Sequence, residues 1–202
     1  MLAEHDIVLI MRNLTWLLLA FTPFLAMGKD VVVDSFGSSK LDPAWKVLKG
    51  KWEIKDGALT GSELTEDKHN AVIRHALGIR NGKIALSIRL DGAKSAHVNI
   101  NQKGGHLFRL ILTPAGVTLQ KDKPNATSEE KAEVLAKSPM PMTIGVWHTV
   151  EIEMQGSKIT ALIDGKLKLE GDNPKLDVEK VDFGFPVGGV SASYDNVKVT
   201  TD

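Results

Sequence analysis

The stretch that decides the fold is Trp147 to Gly165, which reads WHTVEIEMQGSKITALIDG. Its first part alternates polar and apolar side chains, which is the pattern of a β-strand with one face towards a core. Its apolar positions are Val150, Ile152 and Met154, and the polar positions between them are Glu151 and Glu153. Gly156 then predicts a turn, after which Lys158 to Ile163 runs back as a second strand towards the turn signal Asp164-Gly165. The stretch therefore predicts an antiparallel hairpin that buries one face.

Short strands of the same kind continue outward from this hairpin. Asn81-Gly82 lies between two apolar runs, which is a strong signal for a tight hairpin turn. Trp45 to Ile54 alternates around a central glycine, and Leu107 to Leu112 is apolar on both faces, as in a buried strand. Only Ser128 to Lys137, with two acidic residues after a capping serine, favours a short helix. About twelve strands with little helix predict an all-β, antiparallel sandwich of the jelly-roll type.

The composition excludes several classes of protein. The chain has 202 residues, with 25 basic residues, 25 acidic residues and no cysteine, and this length suits one folded domain. Zero net charge argues against a nucleic-acid partner, because phosphate binding needs a basic surface. Without cysteine the chain has no disulfide, no thiolate nucleophile and no cysteine-ligated zinc site.

An uncharged apolar run near the N-terminus, Leu14 to Ala26, is too short to cross a bilayer, which takes about 20 residues. A basic residue precedes the run and small residues follow it, so we expect residues 1–28 to be a secretory signal peptide that is cut before Lys29. Acidic residues soon after Met1 are unusual for such a signal, and a start at Met11 would remove them. A membrane anchor is the alternative interpretation of the run.

The remaining residues, 29–202, are expected to form one domain with no stable membrane insertion after signal cleavage. An exported domain without cysteine fits a bacterial periplasm or cell surface, because small secreted eukaryotic domains usually carry disulfides. We therefore expect a bacterial protein that is secreted or located in the periplasm.

Several motifs resemble a known family of bacterial domains. The hairpin quoted above, together with Tyr194 to Val199 (YDNVKV), is similar to the pattern of concanavalin A-like (laminin G-like) jelly rolls. Lys51 to Gly61 (KWEIKDGALTG) resembles the opening of 3-keto-disaccharide hydrolase-type domains, which are related to glycoside hydrolase family 16. Gly105 to Arg109 (GHLFR) resembles a subgroup found in exported planctomycete-type proteins. The resemblance covers roughly residues 31–200 and implies a concanavalin A-like sandwich.

The resemblance also implies a function, namely that of an exported carbohydrate-active protein that acts on a glycoside in a concave groove of the sandwich. In a 3-keto-glycoside the ketone acidifies the neighbouring C2–H, so a base can remove this proton, the aglycone leaves by elimination and water adds back. An arginine or a divalent metal ion would stabilise the enolate. As an enzyme the protein would be a 3-keto-glycoside hydrolase. A non-catalytic, lectin-like glycan- or protein-binding module and a structural surface protein are the alternatives.

Polar side chains on one strand are the best candidates for binding a sugar. His97, Asn99 and Asn101 alternate with apolar residues and therefore point to the same face. An asparagine amide can both donate to and accept from a sugar hydroxyl. A solvated outer face is the alternative explanation for this pattern.

The next strand carries an arginine in an apolar run. Arg109 needs a carboxylate or a ligand there, and Asp122 and Lys121 at the end of the following strand are the expected partners. His106 lies three residues before Arg109, so the two point to opposite faces unless a bulge intervenes. Glu63 lies in a loop that could supply a base. The catalytic candidates are thus Glu63, His106, Arg109 and Asp122, and the ligand-binding candidates are His69, His97, Asn99, Asn101 and Lys121.

Two further signals are weaker. Glu151 and Glu153 share a face about 6.5 Å apart, an arrangement compatible with two carboxylates that flank a glycosidic bond, but a solvated face is the favoured interpretation. The histidines lack the spacing of a metal-binding motif, so a divalent cofactor stays an open alternative. Most tryptophans and phenylalanines occupy strand positions, which leaves few aromatic rings for stacking on a sugar.

Overall fold

Two antiparallel sheets pack face to face in the part of the chain that the computed structural model describes, residues 28–202. Fifteen strands build these sheets. In chain order they are β1 (Lys29–Asp34), β2 (Trp45–Lys49), β3 (Lys51–Lys55), β4 (Ala58–Ser62), β5 (Ala71–Ile79), β6 (Gly82–Leu90), β7 (Ala93–Gln102), β8 (Gly105–Thr113), β9 (Gly116–Lys121), β10 (Glu133–Ser138), β11 (Trp147–Gln155), β12 (Lys158–Ile163), β13 (Leu167–Asp172), β14 (Lys180–Gly189) and β15 (Ala192–Thr201). Helical structure within residues 28–202 is limited to two 3₁₀ turns, Thr65–Asp67 and Pro174–Leu176.

The seven-stranded sheet, called the front sheet below, has the order β10-β9-β8-β7-β14-β5-β2. The other sheet, called the back sheet, has the order β13-β12-β11-β6-β15-β4-β3, with β1 paired to the C-terminal part of β15. The hairpin predicted from the sequence is β11 and β12, which pair from Val150 opposite Ile163 to Gln155 opposite Lys158. The predicted all-β jelly-roll sandwich is confirmed.

The core lies between the sheets and contains the alternate residues of each strand. In β11, Val150, Ile152 and Met154 are fully buried, as the alternation predicts. Trp45 packs against Phe183 and Phe185, with ring centroids 5.5 and 5.3 Å apart. Burial of one such large side chain contributes about 1.5–3 kcal/mol. A chain without disulfides therefore depends on this two-sheet core for its stability.

The helix predicted for Ser128 to Lys137 is wrong. Ser128 does accept a hydrogen bond from the Glu130 amide at 3.1 Å, as at a helix start, but no helix follows. Glu133–Ser138 instead forms β10 and pairs with β9. The reason is that β9 would otherwise present an unpaired edge, and pairing with it outweighs the local preference of so short a segment.

The number of strands exceeds the predicted twelve or so because some alternating runs are divided between the two sheets. Trp45 to Ile54 forms β2 in the front sheet and β3 in the back sheet. Gly50 separates them with a φ of 76°, a left-handed conformation that glycine adopts without strain. The chain thus crosses from one sheet to the other at a single residue.

The expected signal peptide, residues 1–28, lies outside the described residues except for Gly28. Among residues 28–202 the structure has no helix that is long and apolar enough to span a membrane.

Candidate functional site

A row of polar side chains crosses the outer face of the front sheet. The register of the strands places Arg74 of β5 beside Gly184 of β14, Gly184 beside Asn99 of β7, and Asn99 beside Arg109 of β8. Because side chains alternate along a strand, these residues face outward while neighbours such as Ile73 are fully buried in the core. Gly184 contributes no side chain, so the middle of the row is open. The residues on both sides of it therefore border a common space.

A β-bulge adds His106 to this face. Ile100 of β7 lies opposite Phe108 of β8, but the next residue, Asn101, lies opposite His106, so Leu107 is an extra residue in β8. An extra residue in one strand reverses the alternation locally. His106 and Arg109, three residues apart, consequently both face outward, which is the alternative that the sequence had left open.

These side chains line a groove of about 540 Å³. Its floor is the outer face of the front sheet, and its rim is formed by the end of β2 and by the loop before β5. The lining residues are Leu48, Lys49, Lys68, His69, Asn70, Val72, Arg74, Asn99, His106, Arg109 and Pro186. The groove is thus lined mainly by polar and cationic side chains.

A chain of hydrogen bonds fixes the imidazole of His106. The Asn101 side-chain amide donates to Asp182 Oδ1, so its oxygen faces His106 Nδ1 at 2.8 Å. Because that oxygen can only accept, the hydrogen bond assigns the proton to Nδ1 and leaves the lone pair of Nε2 free. Burial, helped by the positive charge of Arg109, lowers the pKa of His106. The ring is therefore neutral at pH 7 and able to act as a base at Nε2.

A carboxylate holds the Arg109 guanidinium from behind. Arg109 Nε lies 2.7 Å from both oxygens of Asp122, which is only 2% exposed, and Gln120 donates to the same carboxylate at 2.9 Å. The Arg109 side chain as a whole is 25% exposed. Its terminal nitrogens form no hydrogen bond with any residue in the described part of the chain. The expected pair with Asp122 is present, and it leaves one edge of Arg109 available to a ligand.

Two buried polar atoms on β7 lack partners. Asn99 is 6% exposed and His97 is 7% exposed, yet Asn99 Oδ1 and His97 Nδ1 form no hydrogen bond within residues 28–202. A buried acceptor without a partner costs roughly 1–3 kcal/mol. Asn99 lines the groove, but its Oδ1 atom is itself buried, so a ligand hydroxyl would reach this oxygen only after the side chain turns.

A family model of the 3-keto-alpha-glucoside-1,2-lyase-like domain matches residues 33–200. The chain belongs to this family. The resemblance noted from the sequence motifs is thereby confirmed over nearly the whole of the described domain. A search of the curated proteins found no match.

Solved structures share the fold of this lyase-like domain. Carbohydrate-binding module CBM66 from Bacillus subtilis is 16% identical with a TM-score of 0.64, over 78% of this chain and 96% of that chain. The laminarinase from Rhodothermus marinus is 16% identical with a TM-score of 0.64, over 88% and 98%. Porphyranase B from Zobellia galactanivorans is 12% identical with a TM-score of 0.60, over 84% and 90%. At these identities the likeness establishes a fold that glycoside hydrolases and carbohydrate-binding modules share.

The structure of the lyase-like domain brings together part of the predicted site. His69, Asn99, His106 and Arg109 line the groove. Asn101 and Asp122 lie directly behind it and hold His106 and Arg109. His97 is two residues from Asn99 on the same strand but is not a lining residue.

Other predicted residues lie elsewhere. Glu63 is outside the groove, where its carboxylate accepts a hydrogen bond from the Gly189 amide at 2.8 Å. Lys121 is buried on the opposite face of β9 and donates to Glu130 at 2.6 Å. Glu151 and Glu153 belong to the back sheet. The structure therefore places no predicted carboxylate on the lining of the groove.

Four charged residues of the site were not predicted. Arg74 interrupts an apolar run in β5, the same signal that identified Arg109, and could have been found in this way. Asp182 lies 3.8 Å from Arg74 Nε and orients Asn101, but its neighbours in sequence give no such signal. Lys49 and Lys68 reach the groove from the rim, which only the tertiary structure shows.

The described residues contain no group of three or more His, Cys, Asp or Glu side chains placed to hold a metal ion. A divalent cofactor therefore stays a prediction from the family resemblance.

Proposed function

We propose that the domain binds a 3-keto-glycoside in the groove of the front sheet and cleaves it by elimination, with His106 as the base. Membership of the lyase-like family supports the type of reaction. The observation that carries the assignment is the hydrogen-bonded series Asp182–Asn101–His106, which leaves Nε2 unprotonated on a residue that lines the groove.

The elimination uses the acidity that the ketone gives to the C2–H bond. Nε2 of His106 takes this proton, and the electron pair of the broken bond moves onto the C3 oxygen as an enolate. The free edge of the Arg109 guanidinium is available to stabilise this negative charge. When the enolate collapses, a C1–C2 double bond forms and the C1–O bond breaks. The leaving oxygen takes up the proton held by His106, so atoms and charge balance, and addition of water to the double bond completes a hydrolysis.

The surroundings of Arg109 fit this role. Asp122 binds Nε, so the guanidinium is held in place before the substrate arrives, as electrostatic stabilisation of a developing charge requires. The unpartnered Asn99 Oδ1, on the neighbouring strand, is buried, and a turn of the side chain towards the groove would let it accept a hydrogen bond from a sugar hydroxyl. The groove therefore offers a base, an anion-stabilising cation and an orienting acceptor on one face.

The test is release of the aglycone from 4-nitrophenyl 3-keto-glucosides of both anomeric configurations. His106→Gln should lower kcat/KM by about 10²–10⁴-fold and leave ligand affinity nearly unchanged. His75→Gln, which changes a histidine outside the groove lining, is the matched control. Because the pKa of His106 is lowered, the acid limb of the pH profile of kcat/KM should lie below the ordinary histidine pKa of 6.5.

A second candidate function is a non-catalytic glycan-binding module. The absence of any carboxylate from the groove lining, within the residues described, favours it, because glycoside hydrolysis usually uses a pair of carboxylates. Binding of glycosides with no aglycone release would support this candidate and contradict the elimination.

We also propose that the domain acts after export through residues 1–28, as expected from the leader-like sequence. N-terminal sequencing of the protein from the periplasm or culture medium should begin at Lys29. An intact N-terminus in a membrane fraction would indicate the anchor instead.

A further inference from the structure

The groove has an uneven distribution of charge. Four of its lining residues are cationic, namely Lys49, Lys68, Arg74 and Arg109, and none of the lining residues found in the described structure is acidic. The whole chain, in contrast, has equal numbers of acidic and basic residues. The cations are therefore concentrated at the groove beyond what the composition predicts.

The acidic partners of these cations lie behind or beside them. Asp122 binds Arg109 from below and is 2% exposed, and Asp182 lies 3.8 Å from Arg74. Asp67 lies 3.6 Å from Lys49, but it also accepts a hydrogen bond from the Gly50 amide, which draws it towards the turn between β2 and β3. Asp122 is thus sealed from a ligand, whereas Asp182 and Asp67 keep side-chain exposures of 23% and 20%, although none of the three carboxylates lines the groove.

Recognition of an uncharged sugar by stacking has no basis here. No Trp, Tyr or Phe is among the lining residues of the groove in the described part of the chain. Trp147, the one tryptophan that is clearly exposed within residues 28–202, lies on the back sheet with its ring 4.7 Å from the Arg89 guanidinium. Affinity in the groove must then come from hydrogen bonds, and those to a charged group are roughly twice as strong as those between neutral groups.

We propose that the glycan which occupies the groove carries an acidic group, a carboxylate or a sulfate, and that Arg74 and Lys68 bind this group. This inference rests on the proposed function, since it names the class of substrate for the same groove. Arg74 is 34% exposed on the floor and Lys68 is exposed at the rim. The two residues therefore determine specificity and are separate from His106 and Arg109, which act on the reacting bond.

The experiment compares glycans that differ only in charge. The probes are oligogalacturonate with its methyl ester, hyaluronan oligosaccharide with its methyl ester, and sulfated carrageenan oligosaccharide with its desulfated form. Binding to the full-length protein is measured by calorimetry at low and high NaCl. The acidic member of at least one pair should bind about 10–100-fold more tightly, and this advantage should shrink at high salt. The carboxylate and sulfate pairs distinguish the two acidic groups.

Variants then locate the acidic group. Arg74→Gln and Lys68→Asn should each lose about tenfold or more in affinity for the acidic probe and little for the neutral one. Asparagine is chosen at position 68 because its φ of 47° is left-handed, which asparagine tolerates. Lys168→Gln removes the same charge from the exposed surface of the back sheet and should change neither affinity.

The outcomes separate this inference from the proposed function. Equal or tighter binding of the neutral members would overturn the acidic substrate class, while the glycan-binding groove would stand. The inference would also be overturned if Arg74→Gln and Lys68→Asn both still bound the acidic glycan of a pair more tightly than the neutral one, as the wild type does. If no glycan of either kind binds and no 3-keto-glucoside is cleaved, the inference and the proposed function both fail.

Discussion

His97 should make the domain markedly less stable in mild acid. Its ring lies on β7, is only 7% exposed, and has an Nδ1 atom with no partner within the described residues. Burial, and secondarily the nearby positive charge of Arg109, lowers the pKa of His97 from 6.5 to about 4. In the unfolded chain the ring regains its ordinary pKa. Between these two values the unfolded state binds a proton that the folded state does not, so stability falls as the pH falls.

The size of the effect follows from the shift in pKa. Each pKa unit corresponds to about 1.4 kcal/mol, so His97 should lower the free energy of unfolding by about 2 kcal/mol at pH 5 and by about 3 kcal/mol at pH 4, relative to pH 7. Above pH 7 both states are neutral and the contribution vanishes. A loss of this size is a large part of the 5–15 kcal/mol that typically separates folded from unfolded domains.

The assay is urea unfolding, followed by tryptophan fluorescence, of the wild type and of His97→Gln at pH 7, 6, 5 and 4. Carboxylates titrate in both proteins, so the informative quantity is the difference between their unfolding free energies. This difference should shift in favour of the variant by about 3 kcal/mol from pH 7 to pH 4. His69→Gln, at an exposed position, is the control and should follow the wild type. Parallel curves for the wild type and His97→Gln would refute the buried, neutral state of this ring.

Two further predictions concern the core and the floor of the groove. Trp45→Ala should lower the free energy of unfolding by about 3–5 kcal/mol in thermal or urea unfolding, because the ring is 4% exposed and packs on two phenylalanines. Gly184→Ala should cost about 1–3 kcal/mol, because a Cβ atom there would lie 2.3 Å from the Ile73 carbonyl oxygen. Gly78→Ala is the control, because a Cβ atom there would meet nothing within 4 Å, and its stability should equal or exceed that of the wild type. An equal loss of stability in both glycine variants would contradict the steric argument.

The fold was predictable because its evidence is local. Alternation with a period of two and glycine-containing turns define each strand, and pairs such as β11 and β12 join neighbours in the chain. Strands at the edge of a sheet are harder to predict from sequence, since Glu133–Ser138 becomes a strand only because β9 lies beside it. The division of Trp45 to Ile54 between the two sheets also depends on tertiary structure. The alternation of side chains continues through the crossing at Gly50, so the sequence pattern does not mark where one strand ends and the next begins.

Residues of the candidate site could be predicted only where a polar or charged side chain interrupts apolar neighbours in the sequence. Arg109 in an apolar run and Asn99 between apolar neighbours both signalled a special environment, and both line the groove. His106 was ambiguous because its direction depends on one bulged residue, Leu107, which follows from the pairing of β8 with β7. Glu63 gave a misleading signal, since its carboxylate lies outside the groove and accepts a hydrogen bond from the Gly189 amide.

The distribution of unsatisfied groups supports the front sheet as the place of the proposed function. Of the three buried side-chain atoms without partners in residues 28–202, two belong to adjacent outward positions of β7, His97 and Asn99. Apolar residues at these positions would avoid a cost of roughly 1–3 kcal/mol for each atom. The neighbouring polar groups, by contrast, are fully engaged, with Asn101 bonded to both His106 and Asp182. Stability alone does not explain why the side chain of Asn101 has hydrogen-bond partners while that of Asn99, two residues earlier on the same strand, has an oxygen without one. Recognition of a ligand would explain it if the Asn99 side chain turns towards the groove, because the atom that destabilises the free domain would then contribute to binding.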